Sequence, residues 1–204
     1  MNNVKQGKPS AADMEALHPT LIVAIGGSAG ALSAYKALLK AMPLNTGMAF
    51  VIISHMNPTA NSQLALILSR FTKMAVKIAS EKMTILANHV YVIPPDADLL
   101  IENYRFKVIS PRSGRNKQID MFFISLAEAM GERAIGIVLS GYDGDGSEGC
   151  KHIKAHGGKI FTQDMSAEID QMPLSAQASG CVDFILPLNK ISEKLKSLAA
   201  ALQI

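Results

Sequence analysis

Short β-branched runs alternate with helical stretches along most of the chain, and this alternation constrains the fold more than any other feature. After the first run, for example, Leu32, Tyr35 and Leu39 recur at helical spacing. Strands that alternate with helices are joined by right-handed crossovers and lie parallel in a sheet covered on both faces. The sequence therefore predicts a doubly wound α/β fold with a mostly parallel β-sheet and helices on both faces. The predicted strands are 20–26, 48–54, 74–79, 134–140, 159–163 and 182–186.

One segment, 89–110, breaks this rhythm. It contains three short strands separated by PPDA and ENYR, which are too short to hold helices. This spacing predicts an antiparallel hairpin insert on the sheet. Further along, Asp120 is expected to be the N-cap of the helix MFFISLAEAM, and Gly157 and Gly158 are expected to end a helix that begins near Gly146.

Length and polarity predict the domain organisation. Residues 1–18 are polar and aperiodic, so we expect a flexible N-terminal arm. Residues 19–204 are then expected to form a single domain, since a chain of this length fits one domain best.

Composition excludes several classes of function. The net charge is only +3 and there is no dense block of Lys and Arg, so we expect no nucleic-acid partner. The longest apolar runs are of strand length, so we expect no membrane insertion. Cys150 and Cys181 are expected to be buried thiols, and no signal-peptide pattern is visible at the start. These features predict a cytoplasmic protein.

Reactive side chains follow several of the predicted strands. Ser28 lies in the turn GGSAG after the first strand, His55 follows the second, and Asp143 and Asp145 follow the strand that ends near Ser140. Because the carboxyl ends of parallel strands meet at one edge of the sheet, these groups are expected to lie close together. A nucleophile, a general base and an orienting carboxylate are the set that acyl transfer requires.

Each of these turns also has a simpler interpretation. A glycine-rich turn can bind a phosphate or be merely tight, a histidine at a sheet edge can be structural, and Asp-Gly pairs are common in turns. The chain order Ser, His, Asp also differs from the order Ser, Asp/Glu, His of the α/β-hydrolases, despite the G-x-S-x-G match.

The remaining motifs do not predict a metal or a cofactor. The DGDGS stretch begins like a calcium loop but has Glu148 where glycine is needed and Lys154 where glutamate is needed. His152 and His156 have helical spacing but lack a third ligand. No G-x-G-x-x-G or P-loop pattern is present. We therefore expect no metal and no cofactor.

Seven segments occur along the chain in this order: AIGGSAGAL, ISHMNP, HVYVIPP, IDMFFISLAE, IGIVLSGYDGDGSEG, GGKIFTQD and DQMPLSA with GCVDFILP. Together they resemble the catalytic domain of the CheB family, the chemotaxis protein-glutamate methylesterases. The similarity covers about residues 19–192. It implies a parallel-sheet α/β fold with an antiparallel hairpin, and hydrolysis of glutamate γ-methyl esters on chemoreceptors, often with deamidation of receptor glutamines.

The resemblance also implies roles for individual residues. Ser28 would be the nucleophile, His55 the general base and Asp145 the orienting carboxylate, with Asp143 as the weaker candidate for that last role.

Backbone N–H groups would bind the oxyanion, and here the chain departs from the family. The residue after the nucleophile is commonly threonine but is Ala29 here, and the family's Gly-Met-Gly turn is Gly141-Tyr142-Asp143. The N–H groups of Ala29 and Tyr142 remain the candidate donors, because a backbone donor survives a change of side chain.

The resemblance implies a methylated chemoreceptor or a related signalling protein as the partner, without a phospho-receiver domain in the short N-terminal arm. The basic loop with Arg112, Arg115 and Lys117 could meet an acidic substrate. Two alternatives remain open: a non-catalytic signalling or binding module on the same fold, and a small-molecule carboxylesterase with the same triad.

Overall fold

A computed structural model describes residues 17–55 and 58–202, and the arm expected at residues 1–16 lies outside the described residues. A seven-stranded parallel sheet forms the centre of the described part, in the order β3-β4-β2-β1-β7-β8-β9. The strands in chain order are β1 (Leu21–Gly27), β2 (Met48–Ser54), β3 (Ala75–Ile78), β4 (His89–Val92), β5 (Asp98–Glu102), β6 (Arg105–Ile109), β7 (Ala134–Val138), β8 (Lys159–Gln163) and β9 (Phe184–Leu186).

Helices cover both faces of this sheet, as predicted. The helices are α1 (Ala31–Ala41), α2 (Pro58–Leu68), α3 (Gln118–Met130), α4 (Ser147–Ala155), α5 (Gln171–Ala178) and α6 (Leu188–Ala201). Helices α3, α4 and α5 contribute to the core on one face, and α1, α2 and α6 to the core on the other. In the described residues, none of the helices combines the length and apolarity needed to span a membrane.

Strand β1 lies at the point where the order of the strands in the sheet reverses. It pairs in parallel with β2 on one side and with β7 on the other. Successive side chains of β1 enter opposite cores: Ile22 and Ala24 pack with one set of helices, Val23 and Ile25 with the other. In open α/β sheets, ligands bind beyond the carboxyl ends of the strands at such a reversal point.

The antiparallel hairpin is present, but it uses only two of the three short strands expected in 89–110. Strands β5 and β6 form a separate two-stranded antiparallel sheet. It is tied to α3 by the Ile101 N–H, which donates to Ser125 Oγ at 3.2 Å. The first short strand, β4, instead lies inside the parallel sheet between β2 and β3. Val90, Tyr91 and Val92 are fully buried there, which suits a central strand better than an insert.

Other local expectations had mixed outcomes. Gly157 ends α4 with a φ of +83°, in agreement with the predicted helix end. Cys150 and Cys181 are buried and free, as expected. The expectation that Asp120 is an N-cap is wrong, because α3 begins at Gln118 and Asp120 lies in its first turn. The first backbone N–H groups of α3 are satisfied by a carboxylate from another part of the chain, described below.

Candidate active site

Ser28 lies immediately after β1, in a turn that is held by backbone contacts on both sides. Its N–H donates to the Ser140 carbonyl at 2.9 Å, and its own carbonyl accepts from the Ala31 N–H at 3.1 Å, where α1 begins. Gly30 has a φ of +77°, and a Cβ there would lie 2.6 Å from Ser140 Oγ. The turn therefore requires glycine at this position and leaves Ser28 at the edge of the sheet.

Ser140 connects this turn to two other segments, a function that the sequence analysis missed. Its buried hydroxyl donates to the Ala29 carbonyl at 2.8 Å and accepts from the Ile169 N–H at 2.9 Å. The hydroxyl thus joins the turn after β1, the end of β7 and the segment that precedes α5. A polar residue at the end of a long apolar run is the one sequence signal that could have indicated this connection.

His55 follows β2 and lies beside the serine turn. Gly27 and Ser54 are register partners in the sheet, so Ser28 and His55 are the next residues after a paired position. The His55 N–H also donates to the Gly27 carbonyl at 3.4 Å. The structure therefore brings the two residues to neighbouring strand ends.

Two carboxylates contact the His55 ring, one at each nitrogen. Nε2 lies 2.5 Å from Asp145 Oδ2, and Nδ1 lies 3.3 Å from Asp143 Oδ2. The His55 side chain is only 6% exposed. Burial lowers the pKa of His55, but Asp145 and then Asp143 favour the charged ring and raise the pKa above its usual value overall.

The Asp145 carboxylate is completely buried and has two further donors. Oδ2 accepts from the Ile119 N–H at 3.0 Å and Oδ1 accepts from the Asp120 N–H at 2.9 Å. Both N–H groups belong to the first turn of α3, which otherwise lacks a side-chain cap. A carboxylate is favoured at this end of a helix by the unpaired N–H groups and the helix dipole. Asp145 therefore both orients His55 and caps α3.

Asp120 performs the reverse capping contact. Its Oδ1 accepts from the Gly149 N–H in the first turn of α4 at 2.7 Å. Burial raises the pKa of Asp120, the Gly149 N–H opposes that rise, and the charge of Asp145 adds to it. A Cβ on Gly149 would lie 2.5 Å from Phe123 Cβ, so glycine permits the close approach of the two helices. Asp120 of α3 thus caps the start of α4, and Asp145, in the turn that leads into α4, caps the start of α3.

The geometry identifies the nitrogen that is available for proton transfer. Because Asp145 holds Nε2, only Nδ1 can accept a proton from a serine hydroxyl. Within residues 17–55 and 58–202, neither His55 Nδ1 nor Ser28 Oγ has a hydrogen-bond partner. In enzymes without substrate, catalytic hydrogen bonds are often long and tighten only when substrate binds. The arrangement can support nucleophilic attack by Ser28 with His55 as the base.

Two backbone N–H groups near Ser28 are candidate oxyanion donors. Neither the Ala29 N–H nor the Tyr142 N–H donates to any residue in the described part of the chain. Tyr142 follows Gly141, where a Cβ would lie 3.1 Å from Ser28 Cβ. The Tyr142 side chain is 64% exposed, so the backbone of this turn approaches the serine while the ring faces solvent.

The other candidate residues lie around this site or are engaged elsewhere. Lys117 directly precedes α3, so the basic loop ends beside the helix terminus that Asp145 caps. In the same loop, Arg112 Nε lies 3.5 Å from Asp96 Oδ1. His156, the residue after α4, has its Nδ1 2.9 Å from the His152 carbonyl at the end of that helix. The described residues include no cluster of three His, Cys, Asp or Glu side chains that could hold a metal ion.

Comparison with known proteins assigns the family. The model of the CheB methylesterase family matches residues 23–195 of the chain. The chain belongs to the CheB methylesterase family. The matched range includes Ser28, His55 and Asp145.

Relatives and a solved structure agree with this assignment to the CheB family. A Leptospira interrogans protein named protein-glutamate methylesterase/protein-glutamine glutaminase is 35% identical over 175 residues, which are 84% of this chain and 91% of the relative. A Hydrogenovibrio crunogenus protein of that name is 32% identical over 87% of this chain, but the match spans only 49% of that longer relative. The crystal structure of the Thermotoga maritima CheB methylesterase catalytic domain superposes with a TM-score of 0.81 and 28% identity. The superposition covers 87% of this chain and 98% of that one.

Proposed function

We propose that the chain is a protein-glutamate methylesterase that hydrolyses glutamate γ-methyl esters of chemoreceptors or related signalling proteins in the cytoplasm. The observation that carries the proposal is the His55 ring, held through Nε2 by a buried carboxylate with Nδ1 unbonded beside the strand end that bears Ser28. Family membership and the names of the relatives support the same reaction.

The first half of the reaction acylates the enzyme. Asp145 accepts the Nε2–H of His55, so the lone pair is on Nδ1. Nδ1 takes the hydroxyl proton of Ser28 as the serine oxygen attacks the ester carbonyl carbon, a contribution worth about 10²–10⁴-fold in rate. The imidazolium formed at this moment is stabilised by the buried carboxylate on Nε2 and the second carboxylate near Nδ1. His55 then returns the proton to the leaving methoxide, and methanol departs.

The second half regenerates the serine. Water approaches the acyl-serine, loses a proton to Nδ1 of His55 and attacks the carbonyl carbon. The intermediate collapses, Ser28 recovers its proton from His55, and the glutamate carboxylate is released. The same sequence converts a glutamine to a glutamate, with ammonia as the leaving group instead of methanol.

Oxyanion stabilisation is assigned to the backbone. The N–H groups of Ala29 and Tyr142 are the proposed donors, since both are unpaired among the described residues and flank Ser28. A single donor of this kind is typically worth about 3–4 kcal/mol of transition-state stabilisation. The family commonly has threonine at the position of Ala29 and methionine at the position of Tyr142. Because the donors are backbone N–H groups, these side-chain differences leave the stabilisation of the oxyanion in place.

The experiment that tests the proposal is release of methanol from a methylated receptor fragment. Ser28→Ala is expected to abolish release and to leave thermal unfolding nearly unchanged, because the hydroxyl makes no hydrogen bond within the described residues. Ser33→Ala is the matched control, since Ser33 is an exposed serine in the next helix. Methanol release by Ser28→Ala would exclude Ser28 as the nucleophile. Hydrolysis of p-nitrophenyl esters without any release from the receptor fragment would indicate a small-molecule esterase, and no turnover of either would indicate a binding module.

A further inference from the structure

We propose that a groove between the ends of α1 and α2 is a docking surface for an acidic protein segment that carries at least one apolar side chain. The groove has a volume of about 740 Å³. We call it the basic groove, and its lining includes three cations, Lys40, Arg70 and Lys73, and three apolar residues, Met42, Leu44 and Phe71. The proposal concerns a second site and does not depend on the esterase reaction.

The sequence concentrates positive charge in the part of the chain that forms this groove. Between Glu15 and Glu81 it contains five Lys and Arg residues and no Asp or Glu, although the net charge of the whole chain is only +3. The rest of the chain is therefore slightly acidic. The segment without acidic residues covers the elements from β1 to β3, so the cations on α1 and after α2 have no carboxylate partner within it.

The cations of the basic groove are exposed, and in the described part of the chain they form no ion pair. Within residues 17–55 and 58–202, the ion pairs of lysine and arginine side chains all involve residues from Asp96 onward. A fourth cation lies beside the groove, since Lys36 Nζ is 5.2 Å from the centre of the Phe71 ring. A concave surface lined by charges of one sign attracts ligands of the opposite sign.

The basic groove lies at the edge of the sheet opposite to Ser28. Helix α1 starts beyond the carboxyl end of β1, α2 starts beyond that of β2, and each ends before the next parallel strand begins. Lys40 is in the last turn of α1, and Arg70 and Lys73 lie between α2 and β3. A partner can therefore occupy the groove without covering the catalytic edge.

The apolar residues of the groove favour a protein segment over a nucleic acid or a membrane. Leu44 is 46% exposed, and phosphates bound by the cations would leave its surface uncovered. Single-stranded nucleic acids also stack their bases on aromatic side chains, but Lys36 already faces the Phe71 ring. A membrane presents a flat surface, whereas this one is concave. An acidic segment with an apolar side chain matches both the charge and the apolar surface.

The chain that forms the groove is held by its own backbone contacts. The Phe71 N–H donates to the Leu68 carbonyl at 2.9 Å, and the Met74 N–H donates to Thr72 Oγ1 at 3.1 Å. A ligand can therefore bind without first ordering this turn, which reduces the entropic cost of docking.

The direct test is fluorescence anisotropy of a labelled synthetic peptide, with glutamate and leucine at helical spacing, titrated with the full chain. We expect saturable binding that weakens as salt is added, and no saturable binding of the same peptide with glutamine in place of glutamate. No binding of the acidic peptide, or equal binding of the neutral one, would overturn the proposal. Tighter binding of a single-stranded DNA oligonucleotide or of phosphatidylserine vesicles would overturn it in favour of that other partner.

Variants locate the binding on the groove. Lys40→Gln and Arg70→Gln are each expected to weaken peptide binding by about 1.5–5-fold, the range for an exposed ion pair. Leu44→Ser should weaken it by about 3–10-fold through loss of buried apolar surface. Lys159→Gln is the matched control, because Lys159 is an exposed lysine at the start of β8, and it should leave binding unchanged. Unchanged binding in Lys40→Gln and Arg70→Gln, even with a lower unfolding midpoint, would mean that these cations only complement the helix ends, and would overturn the proposal.

Discussion

Replacing Asp145 by asparagine removes one acceptor oxygen from a group that serves three donors. If the amide oxygen occupies the position of Oδ2, Ile119 and His55 keep their acceptor and the amide nitrogen faces the Asp120 N–H. If the amide is reversed, Asp120 keeps its acceptor and the other two donors face an NH₂ group. In either case at least one N–H that is buried or partly buried is left unpaired, which costs about 1–3 kcal/mol of unfolding free energy. For a chain of this size, each kcal/mol corresponds to about 2–4 °C in Tm.

The same substitution is expected to impair catalysis more than folding. A reversed amide would donate to Nε2 and force the imidazole proton onto Nδ1, the nitrogen that must accept the proton of Ser28. The other orientation retains the tautomer but removes the charge that stabilises the imidazolium. The corresponding exchange in a serine protease triad lowers kcat by about 10⁴, and we expect a loss of about 10³–10⁴-fold here. Methanol release measures the loss, and urea unfolding of the same sample measures the stability.

Asp143→Asn is the matched control for this prediction. Asp143 is 28% exposed, and its Oδ1 accepts the Asp145 N–H at 3.1 Å, a contact that asparagine can keep. Its unfolding free energy is expected to change by no more than about 0.5 kcal/mol. Near-native activity and stability of Asp145→Asn would refute both functions assigned to Asp145. A larger loss of activity in Asp143→Asn would transfer the orienting function to Asp143.

Three further predictions follow from individual contacts. Asp143→Asn removes a charge that raises the pKa of His55. Activity requires the neutral ring, so the acid limb of the plot of kcat/KM against pH should move to lower pH. An acid limb at the same or a higher pH would contradict an effect of Asp143 on the His55 ring. Gly149→Ala forces a Cβ to 2.5 Å from a neighbouring side chain and should cost about 1–3 kcal/mol in urea unfolding, whereas Gly114→Ala, with no atom within 4 Å, should leave the midpoint unchanged. Ser140→Ala removes two hydrogen bonds and leaves the partly buried Ile169 N–H without its acceptor, so it should lower the unfolding free energy by about 1–3 kcal/mol; native stability would exclude the bridging function.

The parallel sheet was predictable because its signal is local. Each buried strand is a short β-branched run, and the strand ends determine where Ser28, His55 and Asp145 can lie. The position of β4 was harder to predict, because membership of a sheet depends on which strands are neighbours in space. Its run of apolar residues fits an antiparallel insert as well as a central parallel strand.

The details of the site depend on contacts between distant residues. Sequence indicated a carboxylate for His55, but not which ring nitrogen it would hold, since that choice is fixed by the packing of α3 against the turn that carries Asp145. The assignment of Asp120 as a cap for its own helix was wrong for the same reason. The side chain satisfies an N–H of α4, which sequence spacing alone cannot place beside it.

The paired helix caps have a consequence for how members of this family diverge. A copy of the gene released from selection for ester hydrolysis would still lose stability on replacement of Asp145, which caps α3, or of Asp120, which caps α4. Ser28 carries no comparable structural contact through its hydroxyl and would be free to change. Retention of the aspartate is therefore evidence of a folded domain, and retention of the serine is the better marker of a working esterase.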